Sequence, residues 1–160
     1  MKPFGICINR CIDGYSRKLM WMEAYTTSSD PKVVASYYVE AVKKHGGCPK
    51  IMRADMGTEN GHVAVIQRFL RSNGVDNLAQ NSFLYGKSTA NQRIEFWWSI
   101  LRKENSEFWI KLFHAIKNDG YFCGYQLEKE IVQFCFLNLI QVGLMKMLIV
   151  SQYYSMPNIC

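Results

Sequence analysis

The sequence predicts an α/β fold, because segments with the two-residue period of a strand alternate with segments that have a helical period. In residues 4–12, Phe4, Ile6 and Ile8 alternate with small or polar residues, as in a pleated strand. In residues 31–45, apolar residues recur every three or four positions, as on the buried face of a helix. Together with the segments that follow, they give the order strand, strand, helix, strand, helix, loop and three further helices.

The chain opens with a predicted β-hairpin. Residues 4–12 and 18–25 are its two strands, and residues 13–16 (DGYS) form the turn between them. Asp13 is expected to make local turn hydrogen bonds to Ser16, as short acidic side chains do in such turns.

The first helix has start and stop signals at both ends. Asp30 can cap the free amides of the first turn, and Pro31 fits the first helical position without losing a hydrogen bond. Gly46 and Gly47 end the helical pattern. We therefore expect one stripe of this helix to be buried.

The middle of the chain is predicted to contain a short strand and two helices. Residues 49–54 form the strand, residues 62–72 a helix, and residues 75–88 a mobile loop with at most a short strand near residues 75–78. A third helix is expected to begin at Ser88 or Thr89.

The last part of the chain is predicted to be helical and then irregular. Helices are expected over residues 106–118 and from 126 to about 141. From Val142 the amphipathic period is lost, and residues 151–160 are expected to be unstructured.

Composition favours a single intracellular domain. The 160 residues are 49 % hydrophobic, which is enough for one ordinary core, and the net charge of +6 favours a polyanionic partner. The six cysteines have no C-x-x-C spacing and are interpreted as reduced, buried thiols. Residues 1–4 lack the apolar core of a signal peptide. The expected location is nuclear or cytoplasmic.

Residues 131–150 are long and apolar enough to span a bilayer. They also include residues that are costly in hydrocarbon, namely Gln133, Asn138, Gln141 and Lys146. A buried helix followed by an apolar tail is therefore favoured over a membrane span.

Two acidic residues are placed where metal chemistry could occur. Asp55 follows the short strand directly, and Glu95 lies on the third predicted helix, 40 positions later. Sites that bind two metal ions need several carboxylates from different elements, to neutralise the ions and leave them open to a phosphate. The spacing permits such a site, while a solvated turn at Asp55 and a solvated helix face at Glu95 remain alternatives.

Three segments, in this order, resemble signatures of the integrase catalytic core. They are residues 11–17 (CIDGYSR), 53–60 (RADMGTEN) and 90–95 (ANQRIE). The family is the retroviral-integrase-like DDE superfamily, and the version here is similar to those of transposable elements in animal genomes. The resemblance covers about residues 4–141 and implies a ribonuclease-H-like mixed sheet flanked by helices, acting in DNA integration by phosphoryl transfer.

The resemblance implies roles for particular residues. Asp55 and Glu95 would be the second and third metal-binding acids, holding Mg²⁺ or Mn²⁺. Contacts to the DNA backbone would come from basic and polar residues near them, namely Arg53, Lys87, Ser88, Asn91 and Arg93. For Lys87 and Arg93, an ordinary solvated surface is the alternative.

The sequence departs from the family at both ends. The family's first catalytic Asp lies on a strand that would fall before Met1, so the first strand is expected to be missing. Asp55 and Glu95 would then be vestigial, metal binding weak or absent, and the chain inactive alone. The integrase-like domain is assigned to residues 1–141, and residues 142–160 to a divergent apolar tail that is not a domain.

A domesticated, non-enzymatic module that binds nucleic acid or protein is the alternative function. A small membrane-associated product of the altered tail is a third. DNA is the expected partner, and self-association is left open.

Overall fold

A computed structural model describes residues 1–16, 18–72, 74, 78–86 and 106–153. Its architecture is mixed α/β, as predicted. The chain divides into two compact units, one comprising Met1–Thr27 and Arg93–Cys160 and the other Ser28–Gln92.

The first unit contains the predicted hairpin. Strand β1 (Cys7–Ile12) pairs antiparallel with β2 (Leu19–Tyr25), with a register shift between Cys11 and Ile12. The strand predicted from residue 4 begins three residues later than expected, because Lys2–Phe4 forms a 3-10 turn that ends at Gly5.

Gly5 has a left-handed backbone conformation, with φ at 67°. Its carbonyl accepts a hydrogen bond from Gln133 Nε2 at 3.0 Å, and a β-carbon at this position would overlap that amide. The left-handed conformation favours glycine here, and a larger residue would also displace the Gln133 amide. The preceding Phe4 is buried and stacks on Phe113, with the ring centroids 4.9 Å apart.

Two helices complete the first unit. Helix α3 (Glu107–Asn118) agrees with the prediction and is followed by Gly120, with φ at 82°. Helix α4 (Gln126–Tyr153) begins as predicted. Glu128 lies in the first turn of α4, and its Oε2 accepts hydrogen bonds from the backbone N–H groups of the three residues that precede the helix, Cys123, Gly124 and Tyr125. This carboxylate satisfies amides at the start of the helix.

The predicted end of this helix near Gln141 is wrong. Helix α4 continues without interruption to Tyr153, with Gly143 in its interior. The reason is tertiary packing, since Ile140 and Leu144 on either side of the predicted end are both fully buried in the core with β2. Gln141 adds polar bonds, accepting from Ala24 N at 2.7 Å and donating to Glu23 Oε2 at 2.6 Å.

The expectation that this helix is buried is also wrong on one face. Five residues of the predicted helix are exposed to solvent, namely Ile131, Phe134, Cys135, Asn138 and Leu139. Residues 126–150 are long and apolar enough to cross a membrane by length and composition, with a mean hydropathy of 1.6 and only 17 % of the window buried. One face is exposed because the helix is apolar on two sides and only one of these packs against the core.

The cysteines are less buried than expected. Cys123 and Cys135 are exposed, and Cys7, Cys11 and Cys48 are partly buried. The apolar neighbours of a cysteine in sequence therefore did not indicate its burial. Burial does raise the pKa of the Cys11 thiol to about 12, with a further contribution from Asp13.

The second unit begins with helix α1 (Pro31–His45), whose predicted signals are all confirmed. Asp30 Oδ1 accepts a hydrogen bond from Lys32 N at 2.8 Å, and Pro31 is the first helical residue. Gly46 ends the helix with φ at 68°.

Strand β3 (Met52–Ala54) and helix α2 (Gly61–Arg71) follow, close to their predicted positions. Strand β4 (Phe83–Tyr85) pairs parallel with β3 and was not predicted. The short strand considered near residues 75–78 falls mostly outside the described residues, and Leu78 is not in a strand.

The described strands form two separate two-stranded sheets, β1–β2 and β3–β4. A single ribonuclease-H-like sheet therefore stays a prediction. The third predicted helix lies in residues 87–105, outside the described part of the chain.

A buried glutamine connects the elements of the second unit. The Tyr38 hydroxyl on α1 donates a hydrogen bond to Gln67 Oε1 on α2. Gln67 Nε2 donates to Pro49 O at 2.8 Å and to Ser82 O at 3.4 Å. Because Gln67 is fully buried, these bonds fix α2 against the segments that lead into β3 and β4.

Candidate active site

Asp55 follows the last residue of β3 and is exposed to solvent. Its Oδ1 accepts a hydrogen bond from Asn60 Nδ2 at 2.8 Å, and the same amide approaches the Asp55 carbonyl oxygen at 3.4 Å. Within the described chain, the second carboxylate oxygen accepts no hydrogen bond. Asp55 thus offers one held oxygen and one open oxygen.

The loop after Asp55 carries a second acid that the sequence analysis did not single out. Residues Thr58–Asn60 form a 3-10 turn that leads directly into α2. Glu59 in this turn folds back so that its carboxylate occupies the space where a side chain on Gly57 would lie. Its position, four residues after Asp55 in an Asx- and Gly-rich loop, was the available signal.

The parallel pairing of β3 and β4 brings a second segment to the same edge. Ala54 is in register with Tyr85, and Gly86 N donates a hydrogen bond to Ala54 O at 2.9 Å. The chain therefore leaves β4 beside the residue that precedes Asp55. Lys87 is the next residue in sequence.

Arg53 is exposed two residues before Asp55. Asp55 directly follows the same strand, and its side chain is exposed as well. The Arg53 guanidinium lies over Gly86, and a β-carbon there would be 2.9 Å from Arg53 Nε. An exposed positive group and an exposed, open carboxylate thus lie two residues apart in sequence at the end of β3.

Asp13 has the turn role that was predicted for it. Its Oδ2 accepts hydrogen bonds from Ser16 N at 2.6 Å and Ser16 Oγ at 2.5 Å. Partial burial would raise the pKa of this carboxyl, but the bonds from Ser16 and from the Tyr15 and Gly14 amides outweigh it and lower the pKa. The carboxylate is therefore committed to the turn.

The remaining predicted site residues fall in residues 87–105, outside the described part of the chain, and stay predictions. They are Glu95, Lys87, Ser88, Asn91 and Arg93. Among the described residues, no three His, Cys, Asp or Glu side chains are grouped closely enough to hold a metal ion.

A protein-family model, the integrase core domain, matches residues 1–154 of the chain. The match takes in the hairpin, the loop that carries Asp55 and helix α4. The chain belongs to the integrase core domain family. No curated protein and no solved structure matches it. In this integrase core, the matched region extends past the predicted domain end at residue 141 and includes the part of α4 that was interpreted as divergent tail.

Proposed function

We propose that this integrase core binds DNA and that Asp55, with Glu95, forms the metal-binding part of a polynucleotidyl transfer site. The observation that carries the proposal is the open carboxylate of Asp55 at the shared end of β3 and β4. Membership of the integrase core family supports the reaction class. A ribonuclease-H-like sheet is part of the same proposal, supported by the parallel β3–β4 pair.

The donor chemistry at Asp55 suits a hard divalent cation. Mg²⁺ and Mn²⁺ prefer carboxylate and water oxygens, and Asp55 presents an exposed carboxylate with one oxygen free. Asn60 would orient that carboxylate, as residues behind a metal ligand commonly do. When bound, the metal ion would activate an oxygen nucleophile and stabilise the developing charge on the phosphodiester.

DNA would lie over the exposed face that carries Arg53. Arginine is suited to phosphate oxygens, because its guanidinium forms paired hydrogen bonds and remains charged. The absence of a side chain on Gly86 leaves room for this guanidinium beside the site. Lys87, Ser88, Asn91 and Arg93 follow in sequence and would add contacts to the DNA backbone.

We further propose that these 160 residues do not join or nick DNA by themselves. A two-metal site needs several converging carboxylates, and Asp13 is engaged by Ser16 in its own turn. Purified protein with Mg²⁺ or Mn²⁺ and branched or end-processed DNA is expected to give no product on a sequencing gel. If the wild-type chain cut or joined DNA and Asp55→Ala abolished that activity, the proposed inactivity would be wrong. The proposed role of Asp55 in the site would still hold.

DNA binding is tested by fluorescence anisotropy over a series of salt concentrations. Affinity should fall steeply with salt, because cationic side chains displace counterions from the phosphates. Arg53→Ala should weaken binding and reduce the slope of log affinity against log salt by about 1. Lys117→Ala removes an exposed positive charge from α3 and serves as the control, with little effect expected.

A domesticated module that binds a protein partner is the second candidate. The exposed apolar side of α4 favours it. This candidate would be supported over the DNA-binding integrase core by two results. The chain would bind no nucleic acid at any salt concentration, and substitution of Arg53, Lys87 or Arg93 would not change its binding to the protein partner.

A further inference from the structure

The second unit carries an excess of positive charge where α1 and α2 end. Basic residues lie in the last turn of each helix, and another lies in the segment that leads into β3. They are Lys44, His45, Lys50, Arg68 and Arg71. Residues 41–54 and 60–75 contain six Lys or Arg and no Asp or Glu. We call these five residues, together with the turn at Gly46 and Gly47, the basic surface.

A buried hydrogen bond joins the two parts of the basic surface. Gln67 Nε2 on α2 donates to Pro49 O at 2.8 Å. Lys50 directly follows Pro49 and Arg68 directly follows Gln67, so these two basic residues flank the bond. The end of α1 is connected to Lys50 by only four residues, 46–49. The last turns of both helices and the start of β3 therefore contribute charge to one end of this unit.

The charge of the basic surface is not neutralised by the protein around it. Glu40 is the only acidic residue within α1, and its Oε1 is paired with Lys43 Nζ at 2.9 Å. The side chains of Lys44, His45 and Lys50 are exposed, and within the described chain they form no hydrogen bond or ion pair. These cations are therefore accessible to an anionic partner.

Gly47 lacks a side chain although the fold does not require this. Gly46 has φ at 68° where it ends α1, so its conformation favours glycine. Gly47 is not among the glycines with positive φ, and a β-carbon on it would meet no described atom within 4 Å. Neither backbone conformation nor crowding therefore explains glycine at this position. A bare backbone does allow a ligand to approach the turn closely.

We propose that the basic surface binds the phosphate backbone of duplex DNA, as a second contact at the end of β3 opposite Asp55. Lys50 and Asp55 are five residues apart with β3 between them, which is at most about 18 Å of extended chain. B-DNA rises about 3.4 Å per base pair, so the two contacts would lie about five base pairs apart. This inference rests on the DNA binding proposed above and extends it to a second surface.

Stabilisation of the helix ends explains only part of this arrangement. Cations in the last turn of a helix interact favourably with its dipole, which accounts for Lys44 and His45. Lys50 lies in the connection to β3 and outside both helices, so the dipole does not account for it. The same holds for the missing side chain of Gly47. Lysines placed around an open backbone turn suit the phosphates of a nucleic acid, which need charge and close approach.

Substitution of the two exposed lysines tests the proposal. Fluorescence anisotropy with a labelled duplex longer than the expected footprint measures affinity over a series of salt concentrations. Lys44→Ala combined with Lys50→Ala should lower affinity several-fold and reduce the slope of log affinity against log salt by about 2, since two phosphate contacts are lost. Lys117→Ala, which removes an exposed charge from α3 in the other unit, is the control and should change neither quantity.

Gly47→Ala separates DNA binding from a structural role. Affinity for the duplex should fall, because the new methyl group keeps a phosphate away from the turn. Thermal stability should be unchanged or higher, because the residue fits the backbone without strain and restricts the unfolded chain. A fall in both affinity and stability would assign Gly47 to the fold and overturn this part of the proposal.

The outcomes distinguish this surface from the site at Asp55. If Arg53→Ala weakened DNA binding while the lysine and Gly47 variants bound like the wild type, the second surface would be wrong and the proposed DNA binding would stand. If the wild-type chain bound no DNA at any salt concentration, both would be wrong. Labelled poly-glutamate that bound as tightly as the duplex, and was lost in the same variants, would indicate an acidic protein partner and would also overturn the proposal.

Discussion

The side-chain amide of Asn60 donates a hydrogen bond to Oδ1 of Asp55 at 2.8 Å. This bond joins the residue after β3 to the residue before α2, across the loop that contains Gly57 and Glu59. One carboxylate oxygen of Asp55 is thereby fixed in direction while the other remains open. The loop supplies an oriented carboxylate at the end of a strand, which suits the metal-binding role proposed for Asp55.

Asn60→Ala should weaken Mn²⁺ binding by about 10-fold, because the Asp55 carboxylate loses the bond that orients it. Asn60 occupies the N-cap position of α2, but its side chain makes no capping bond, so the substitution should leave helix stability nearly unchanged. Isothermal titration with Mn²⁺, together with the melting temperature, separates the two effects. An equal metal affinity for the variant and the wild type would contradict the orienting role.

Gly86→Ala should lower DNA affinity without unfolding the protein. The new β-carbon would be 2.9 Å from Arg53 Nε, so the guanidinium must move away from the edge of the sheet. The group that moves is the end of a flexible side chain, and the cost in stability should be within about 0.5 kcal/mol. Anisotropy with duplex DNA measures the affinity, and thermal unfolding checks the stability. Unchanged affinity would separate the Arg53 position from DNA binding.

Gln67→Leu should destabilise the protein by about 2–4 kcal/mol. The substitution removes the side-chain amide that donates to Pro49 O and Ser82 O and the oxygen that accepts from the Tyr38 hydroxyl, while Ser82 O keeps its bond from Met52 N at 2.8 Å. Each buried polar group that loses its partner costs about 1–3 kcal/mol. Urea unfolding followed by circular dichroism gives the free energy of unfolding. A change below about 0.5 kcal/mol would show that this buried network does not hold the second unit together.

Local signals in the sequence predicted α1 correctly. Strand β4 and the buried bonds of Gln67 were not predicted, because they depend on pairing between distant parts of the chain. Asp30, Pro31 and Gly46 act on the ends of α1 through contacts a few residues away. Strand β4 is only three residues long and is defined by its parallel pairing with β3, about 30 residues earlier. Gln67 on α2, whose amide reaches the Ser82 carbonyl, is likewise a long-range partner that periodicity does not indicate.

The same distinction applies to the site. Asp55 was predicted to lie at the end of a strand, and it directly follows β3 and is exposed, while its metal-binding role stays a prediction. The orienting bond from Asn60 was missed, although Asn60 was part of the quoted signature, because the direction of a side chain in a 3-10 turn is not encoded by residue spacing. Similarly, the mostly apolar residues 142–150, which include Gly143 and Lys146, carry no signal that marks where α4 ends.

Stability should depend on the ionisation of Asp13. The folded-state pKa of Asp13 is lowered, so the folded state binds this proton less readily than the unfolded state. The stabilisation is present above the ordinary pKa of an aspartate, 3.8, and is lost as pH falls through the folded pKa. Asp13→Asn should therefore be less stable than the wild type at neutral pH, with the difference shrinking below about pH 4. Denaturant unfolding at several pH values measures this trend, and a difference that is constant with pH would contradict it.

Leu144→Ala tests whether the chain beyond residue 141 is part of the folded core. Leu144 is fully buried and belongs to the core cluster with Met22 and Phe113, so truncation should cost about 2–5 kcal/mol through lost burial and a residual cavity.

Leu139→Ala makes the same chemical change on the same helix at a residue that is 56 % exposed. It should change stability by no more than about 0.5 kcal/mol. If both variants unfolded at the wild-type urea concentration, the last turns of α4 would contribute nothing to the fold. A large loss confined to Leu144→Ala would place residues 142–153 within the integrase core.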